Sequence, residues 1–350
     1  MKAFVLRATG GEGLEHTALV DVPAAPEPGP GEVRVAIKAA ALNHLDLYVI
    51  RGLPGLPKSL PHILGGDGAG VVESVGAGVT AVRPGDRVLI NPGISDYRCE
   101  FCLAGEHSLC VQYGILGEHH PGTLAELITV PAHNVLPIPD ITPPLTWPEA
   151  AAFSLVTLTA WRMVVTRAQV KRGEWVLVWG IGGGVSLTAL RIATRLGARV
   201  IATSSSDAKL ARARELGAVV TVNHRTQQVP QVVREATGKR GVDVVVENVG
   251  ETTWGDSLRC LAKGGRIVIC GGTTGPKLVT DVRPLFWHQF TILGSTMGNA
   301  AEYREVVRRL GQGELRPIVD ATFPLDRARA AFERLERGDQ IGKVTVEIGS

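Results

Sequence analysis

No stretch of this sequence is long and apolar enough to cross a membrane. The longest apolar run, from Ala150 to Val165, is interrupted by polar residues and by Arg162, whereas a transmembrane helix needs about 20 predominantly apolar residues. The first residues also lack the apolar core and small-residue cleavage site of a signal peptide. We therefore expect a buried helix in the apolar run and no membrane partner.

Charge of one sign is also scarce. The formal net charge is only +3 over 350 residues, and no block of Lys and Arg residues or basic stripe interleaved with aromatic residues is present. Such features are typical of proteins that bind nucleic acids through their phosphates. The sequence therefore predicts no nucleic-acid partner.

Cysteine is rare, with five residues in the chain. An odd number is a poor basis for a disulfide framework, and thiols persist in reducing compartments, so we expect a cytoplasmic protein. Cys99, Cys102 and Cys110 lie within twelve residues, a spacing typical of thiolates that hold a metal. Cys260 and Cys270 stand apart, and we expect them to be small core residues.

The first part of the chain, up to about residue 137, consists of short strand-like segments separated by Pro and Gly turns. In the segment GEVRVAIKAA, Val33, Val35 and Ile37 alternate with Arg34 and Lys38, a period of two that is typical of a half-buried strand. This part is predicted to form an antiparallel, barrel-like β domain.

From about Trp161 the pattern changes to strands that alternate with helices. The apolar strand EWVLVW precedes the amphipathic segment SLTALRIATRLG, and four further strands with their helices follow up to about residue 293. This alternation predicts an α/β fold with a doubly wound parallel sheet. The helices and closing strand after Leu293 are expected to return to the first domain. The expected domains are 1–150 completed by 294–350, and 151–293.

A glycine-rich turn, GIGGGVS, joins the first strand of this pattern to its helix. Gly180, Gly182 and Gly183 leave backbone N–H groups and the helix N-terminus open to a pyrophosphate. The strict G-x-G-x-x-G spacing is not met, since the sixth position counted from Gly180 is Val185. The position of the turn between a buried strand and a helix still predicts a dinucleotide site, and an ordinary glycine loop is the alternative.

The end of the second strand indicates which dinucleotide binds. Sites that prefer NAD carry Asp or Glu there, for the ribose 2′-hydroxyl. This chain has Ser204, followed by Ser205, Ser206 and, one turn later, Lys209. Hydroxyl groups and an ammonium suit a 2′-phosphate better, so we expect NADP, with NAD as the alternative. Capping of the next helix by Ser206 or Asp207 is expected as well.

Taken together, these features resemble the medium-chain dehydrogenase/reductases, the superfamily of zinc-type alcohol dehydrogenases and quinone oxidoreductases. The resemblance covers essentially the whole chain and implies a GroES-like antiparallel β-barrel catalytic domain, a Rossmann domain and hydride transfer to or from a small-molecule substrate in the cleft. It also implies a homodimer or homotetramer. It is carried by GEVRVAIKAAALNHLDLYVIRG, PHILGGDGAGVVESVGAGV, RPGDRV, the cysteine lobe, GIGGGVS, LGARVIATSSSDAKLARARELGA, VDVVVENVG, LGSTMG and IGKVTVEI.

Zinc members of this family hold a catalytic ion with three protein ligands and keep a fourth position for a substrate oxygen. The resemblance places those three ligand positions at Asn43, Gly66 and Leu155. Asn is a poor zinc ligand, and Gly and Leu offer no side-chain donor, so we predict a member without a catalytic zinc site.

A catalytic site rebuilt from His44, His62 or Asp46 is the alternative. It is disfavoured because ligation depends on backbone geometry as well as residue type. The resemblance instead gives Asp46 a structural or relay role, and it matches Asn43 to zinc-free quinone reductases.

Without a Lewis acid, hydride transfer favours acceptors whose conjugation spreads the incoming charge. We therefore expect reduction of a quinone or an α,β-unsaturated carbonyl by NADPH, with a proton from solvent or relayed through Asn43 or His44. The alternatives are an alcohol or aldehyde dehydrogenase and a non-enzymatic NADPH-binding protein.

The resemblance also assigns further residues to the cofactor. They are Thr159 at the nicotinamide, Gly183, Gly184 and Val185 at the pyrophosphate, His224 beside Lys209 at the 2′-phosphate, Asn248 and Gly250 at a strand end in the cleft, and Lys343 in the terminal GK motif. For any one of these residues, a turn or capping role is the alternative.

The cysteine lobe matches the family's structural-zinc lobe, whose four ligands follow C-x2-C-x2-C-x7-C. Cys99, Cys102 and Cys110 occupy the last three positions, and the first falls on Asp96. A carboxylate binds zinc at about the same distance as an imidazole. The resemblance therefore implies one structural zinc, with His107 as a less favoured fourth ligand and a loop of free thiols as the alternative.

Overall fold

The computed structural model describes residues 1–8, 13–52 and 59–349. The chain divides into two compact units, one of Met1–Leu155 with Gly298–Ser350 and the other of Val156–Met297. Each unit is built around a hydrophobic cluster of its own. The chain thus leaves the first unit once and returns to complete it.

The strands of the described residues are β1 (Lys2–Leu6), β2 (Thr17–Asp21), β3 (Glu32–Ala41), β4 (His62–Ile63), β5 (Asp67–Val75), β6 (Arg87–Ile90), β7 (Gly93–Ile94), β8 (Gly114–Ile115), β9 (Leu127–Pro131), β10 (Val135–Pro137), β11 (Trp175–Val178), β12 (Arg199–Ser204), β13 (Ala218–Asn223), β14 (Val242–Glu247), β15 (Leu261–Ile269), β16 (Thr291–Gly294), β17 (Val319–Pro324) and β18 (Lys343–Glu347).

The α-helices are α1 (His44–Arg51), α2 (Glu100–Leu103), α3 (Trp147–Ala151), α4 (Ser154–Trp161), α5 (Gly184–Arg195), α6 (Asp207–Glu215), α7 (Val229–Ala236), α8 (Glu251–Cys260), α9 (Val282–Trp287), α10 (Ala300–Gly311) and α11 (Ala328–Arg337). Short 3₁₀-helices cover Leu14–His16, His107–Leu109, Ala132–Asn134 and Leu325–Arg327, and a π-helix covers Arg162–Arg167.

The first unit is dominated by antiparallel pairing. Its main sheet has the order β10-β6-β5-β3-β18-β17, with β9 also paired to β3, beside the small sheets β2-β1-β4 and β7-β8. Along β3, Val33, Val35 and Ile37 are buried as their alternation predicts. The exception is the parallel pair β17–β18. Parallel neighbours need a crossover connection, and α11 supplies it.

The second unit contains one six-stranded, wholly parallel sheet with the order β13-β12-β11-β14-β15-β16. Numbered within the unit, this order is 3-2-1-4-5-6, that of a dinucleotide-binding Rossmann sheet. Leu177, Ile201 and Val245 are fully buried at its centre, as expected for strands covered by helices on both faces. The predicted α/β class with a Rossmann sheet is confirmed.

The apolar run that the sequence assigned to one buried helix is divided among three elements. It contains the end of α3, the whole of α4 and the start of the π-helix, with α3 closing at Ala151. Its burial agrees with the expectation, since Phe153, Leu158 and Val164 are inaccessible to solvent. Within the described ranges, no helix combines the length and apolarity that a bilayer crossing requires.

Candidate active site and metal lobe

The three positions that the resemblance assigns to catalytic-zinc ligands lie side by side in the first unit. A Cβ atom built on Gly66 would lie 3.3 Å from Leu155 Cδ1 and 4.0 Å from Asn43 Nδ2. Asn43 and Leu155 are both buried. The fold therefore brings the three positions together, but they offer one carboxamide where a zinc ion would need three donor groups.

Asp67, the residue after Gly66, is the centre of a buried polar network. Its Oδ1 accepts the N–H of Leu155 at 2.7 Å. Its Oδ2 accepts Asn43 Nδ2 at 3.0 Å and Lys343 Nζ at 2.9 Å. Lys343 Nζ also donates to Asn43 Oδ1. The network joins the starts of β5, α4 and β18 to the N-cap of α1, and each charge in it has a bonded partner, as burial requires.

Lys343 is 4% exposed and Asp67 is fully buried. The sequence predicts a cofactor contact for Lys343, and that role stays a prediction. What the structure adds is an ion pair between Lys343 and Asp67, two residues far apart in the sequence.

The Asp46 carboxylate accepts hydrogen bonds from two backbone N–H groups next to this network. Its Oδ2 accepts the N–H of Asn43 at 2.7 Å, and its Oδ1 accepts the N–H of Gly65 at 3.1 Å. Burial raises the pKa of Asp46 to about 6; the nearby Asp67 charge adds to the rise, while the two backbone N–H groups and the Lys343 ammonium oppose it. His44 is half-buried at the first position of α1.

In the second unit, the glycine turn between β11 and α5 fits a pyrophosphate. Gly180 and Gly182 have φ values of 62° and 137°, which other residues rarely adopt. A Cβ on Gly183, the N-cap of α5, would meet no atom within 4 Å, and no side chain caps this twelve-residue helix. The N–H groups of the first turn, which includes Gly184 and Val185, therefore remain available to an anion.

The residues expected at the ribose lie together at the ends of β12 and β13. The N–H of His224 donates to Ser204 O at 3.1 Å, and the N–H of Ser206 donates to Ser204 Oγ at 3.2 Å. Ser205 and Lys209 are half-buried nearby in sequence. Burial lowers the pKa of His224, so its imidazole is neutral at pH 7. The strand end therefore presents hydroxyl and nitrogen groups, and no carboxylate stands at position 204.

The remaining residues assigned to the cofactor have structural contacts of their own. Thr159 Oγ1 donates to Met297 Sδ at 3.5 Å, and Asn248 Nδ2 donates to Ser186 Oγ at 2.8 Å, which ties the end of β14 to α5. Gly250 has φ 95°, and a Cβ there would lie 2.7 Å from the carbonyl oxygen of Gly275. Close packing therefore already requires glycine at position 250.

Sequence reasoning missed the group that shapes this strand end, the carboxylate of Glu247. It is fully buried and accepts the N–H groups of Val249 and Gly250 at 2.8 and 3.1 Å. The hydroxyls of Thr253 and Ser257 also donate to it. A single acid at the end of the apolar strand VDVVVENVG is the signal that could have identified it, since a buried carboxylate needs several donors.

The metal lobe brings together the four residues that the resemblance selects. One ligand atom from each of Asp96, Cys99, Cys102 and Cys110 lies within 4.8 Å of the others, and the described ranges contain no second such cluster of His, Cys, Asp or Glu. The N–H groups of Arg98 and Cys99 donate to Asp96 Oδ1 at 2.8 and 3.0 Å. They hold the pKa of Asp96 well below its usual range.

His107, the alternative ligand, has other contacts. Its Nδ1 lies 3.2 Å from Gly105 O and 3.4 Å from the backbone nitrogen of Ala300, and its ring packs at a tilt against Tyr97, with the ring centroids 4.4 Å apart. The cysteines are not joined in disulfides. The cluster offers the number and type of donors that a tetrahedral zinc takes, with the four ligand atoms within 4.8 Å of one another.

Two family models match the chain. The model for the alcohol dehydrogenase GroES-like domain matches residues 29–140, and the model for zinc-binding dehydrogenases matches residues 184–312. The first of these segments lies in the first unit, and most of the other segment lies in the second unit.

Individual proteins resemble the chain over nearly its full length. A zinc-type alcohol dehydrogenase-like protein of Schizosaccharomyces pombe is 36% identical over 91% of this chain and 91% of its own. A crotonyl-CoA reductase of Streptomyces avermitilis is 33% identical over 94% of this chain and 81% of its own. The crystal structure of an NAD-dependent alcohol dehydrogenase has 46% identity and a TM-score of 0.93, with 100% of both chains covered.

Proposed function

This chain belongs to the medium-chain dehydrogenase/reductase family, as an NAD(P)-dependent oxidoreductase, and we propose that it reduces conjugated carbonyl compounds without a catalytic metal. The acceptors would be small α,β-unsaturated carbonyl compounds or quinones. The membership confirms the family and the enzyme class predicted from the sequence.

The observation that carries this proposal is the donor set at Asn43, Gly66 and Leu155. The three positions converge, and they present one carboxamide, a backbone and a leucine. A zinc Lewis acid held in the family's manner does not fit there. An unactivated alcohol must lose its proton as hydride departs, which zinc promotes, whereas a conjugated acceptor spreads the incoming charge itself. The similarity to a crotonyl-CoA reductase supports the second class of reaction.

The bound nicotinamide would supply the hydride. The chain's own part is to bind the cofactor and to orient the acceptor. Asn43 Nδ2 donates to Asp67 and, more weakly, to Ala41 O at 3.4 Å. Since these bonds occupy both of its N–H groups, we assign Asn43 a positioning role, and the final proton comes from water or through His44.

NADP is the cofactor we propose, on the basis of the hydroxyl and nitrogen groups at the end of β12. Ser205, Lys209 and His224 would hold the 2′-phosphate. Position 204 is a serine, so the Asp or Glu that accepts the 2′-hydroxyl of NAD in NAD-preferring sites is not there. The pyrophosphate would lie on the N–H groups of the α5 N-terminus.

We further propose that Asp96, Cys99, Cys102 and Cys110 bind one structural zinc. Four protein ligands close the coordination sphere and leave no position for substrate. The three thiolates require a reducing compartment such as the cytoplasm.

A homodimer formed through the sheet of the second unit is the assembly we propose. Strand β16 lies at the edge of that sheet, and in the described ranges no strand pairs with its outer side. The adjacent helix α9 presents Phe286 and Trp287, which are 65% and 74% exposed. Large exposed apolar side chains beside an open strand favour a protein partner, and a second copy supplies a matching edge.

Alcohol oxidation is the second candidate, because the 46% identical structure is that of an alcohol dehydrogenase. A substrate panel separates the two. We expect NADPH oxidation with 1,4-naphthoquinone or with cyclohexenone, and at least about a hundredfold less reduction of NADP or NAD with primary and secondary alcohols. Alcohol turnover that equals or exceeds enone and quinone turnover would overturn the proposal.

A further inference from the structure

The Lys343 ammonium has one more hydrogen-bond donor than its partners use. An ammonium carries three N–H groups. Two are accepted, by Asp67 Oδ2 at 2.9 Å and by Asn43 Oδ1. In the described part of the chain the third meets no acceptor. Because Lys343 is only 4% exposed, this donor is mostly withheld from water, and a buried unmatched donor favours a ligand oxygen.

The position of this donor is specific. Lys343 Nζ bonds directly to the side chain at the first vacated ligand position, Asn43. Asn43 in turn lies beside Gly66 and Leu155, the other two vacated positions. A fixed positive charge therefore lies directly beside one of the three vacated ligand positions.

We infer that Lys343 donates its third N–H to the carbonyl oxygen of the substrate and so supplies the charge stabilisation that a catalytic zinc ion provides in zinc members of the family. This inference rests on the proposed function. A hydride carries two electrons and one proton to the β-carbon of an enone. The C=C electron pair then shifts towards the carbonyl, whose oxygen becomes an enolate O⁻. Lys343 stabilises that charge by a hydrogen bond and keeps its proton, and water protonates the α-carbon to give the saturated ketone.

Asp67 and Asn43 make this role possible by fixing the direction of the ammonium. A free lysine side chain is flexible and loses entropy when it is ordered. Here two acceptors of the same network hold Nζ, and Asp67 is held by the N–H of Leu155 at 2.7 Å. The donor is thus oriented before substrate binds, which is what makes a hydrogen bond effective in catalysis. Removing one such preorganised donor typically lowers kcat by about 10²- to 10³-fold.

Lys343→Met tests the inference, but it leaves Asp67 buried without a cation and endangers folding. The paired variant Lys343→Met/Asp67→Asn removes both charges. In it, the carboxamide introduced at position 67 accepts the N–H of Leu155 with its oxygen and donates its own N–H to a rotated Asn43, so that a neutral network closes. Lys343→Arg keeps the charge and serves as the conservative control. Thermal unfolding of every variant establishes that the first unit is folded.

The direct readout is binding of 4-nitrophenol, a stable phenolate analogue of the enolate, to the protein without cofactor. Absorbance reports how much of the bound probe is ionised. We expect the wild type and Lys343→Arg to bind the phenolate at least tenfold more tightly than the phenol, which lowers the apparent pKa of the bound probe by one unit or more. The paired variant should lose this preference and at least about a hundredfold in kcat with an enone.

Two results would overturn the inference. The first is that the wild type binds 4-nitrophenol with no preference for its phenolate form, or does not bind it at all. The other is an unchanged probe pKa in the paired variant together with a tenfold rise in the Kd of NADPH, which would assign Lys343 to a cofactor phosphate. Failure of the proposed function can be distinguished from both results, because in that case the wild type would turn over neither enones nor quinones.

Discussion

Asp46 illustrates how one buried residue makes the fold depend on pH. Its carboxylate holds the turn before α1 through the N–H groups of Asn43 and Gly65. Burial raises its pKa from 3.8 to about 6. The ionised form is therefore less favourable in the folded protein than in the unfolded chain. The stabilisation from the protonated form is fully present below pH 3.8 and is lost as the pH rises through about 6.

We predict that this group lowers the free energy of unfolding by about 2 kcal/mol between pH 4 and pH 7, at about 1.36 kcal/mol per pKa unit. Urea unfolding of the wild type and of Asp46→Asn at several pH values isolates the contribution of Asp46, because the two proteins have all other titrating groups in common. The wild type should lose stability relative to the variant as the pH rises through this range. Parallel curves would show that Asp46 has an ordinary pKa.

Under the proposed function, Lys209 is the residue on which the choice between NADP and NAD would depend most directly. It follows Ser205 by one helical turn, on α6 beside the end of β12. Its ammonium would meet the 2′-phosphate of NADP and no group of NAD. Charge-assisted hydrogen bonds contribute about 1.5–3 kcal/mol, less when exposed.

Lys209→Ala should therefore raise the Kd of NADPH by about tenfold and leave the Kd of NADH within twofold, as measured by nicotinamide fluorescence. Lys171→Ala is the matched control, since Lys171 precedes the opposite end of the sheet, before β11. An equal effect on both cofactors would refute recognition of the phosphate by Lys209.

At the level of elements, the metal lobe is a short segment with little core of its own. Helix α2 has four residues and the following 3₁₀-helix three. Such elements are unstable alone. The proposed zinc site would cross-link the lobe and stabilise its folded form directly.

Asp96→Ala should release zinc and lower the thermal unfolding temperature of the protein, whereas Asp96→Cys should retain one zinc per chain with four thiolates. Zinc release to a chromogenic chelator and differential scanning fluorimetry measure both effects. If Asp96→Ala keeps a full equivalent of zinc as firmly as the wild type, Asp96 is not a ligand.

Local patterns predicted the elements well and the network between Asn43, Asp67 and Lys343 poorly. Alternation along β3 and the strand-helix repeats from β11 onward follow from periods of two and about 3.6, which neighbouring residues determine. The pairing of Asp67 with Lys343 joins residues 276 positions apart. It depends on β18 returning to β3 antiparallel, a register that no local signal specifies.

At the scale of the whole molecule, the exposed apolar residues near β16 have the most consequence for assembly. Helix α9 and β16 expose Val282, Phe286, Trp287 and Ile292. In a monomer this surface is exposed to water, whereas in a dimer a second copy would cover it and form a strand pair with β16.

We predict a dimer in solution and its dissociation by the paired change Trp287→Glu/Ile292→Glu, measured by size-exclusion chromatography with light scattering. Leu103→Glu, at a residue of the metal lobe that is 78% exposed, should leave the dimer intact. A monomeric wild type, or a paired variant that remains dimeric, would contradict this interface.

The zinc content of the active protein tests most directly whether this enzyme reduces conjugated acceptors without a catalytic zinc. Elemental analysis should be made on the same sample whose NADPH-dependent enone and quinone turnover is measured. We predict one zinc per chain, lost in Asp96→Ala, together with turnover of conjugated acceptors by the wild type. Two zinc ions per chain, with turnover that rises with occupancy of the second, would contradict it.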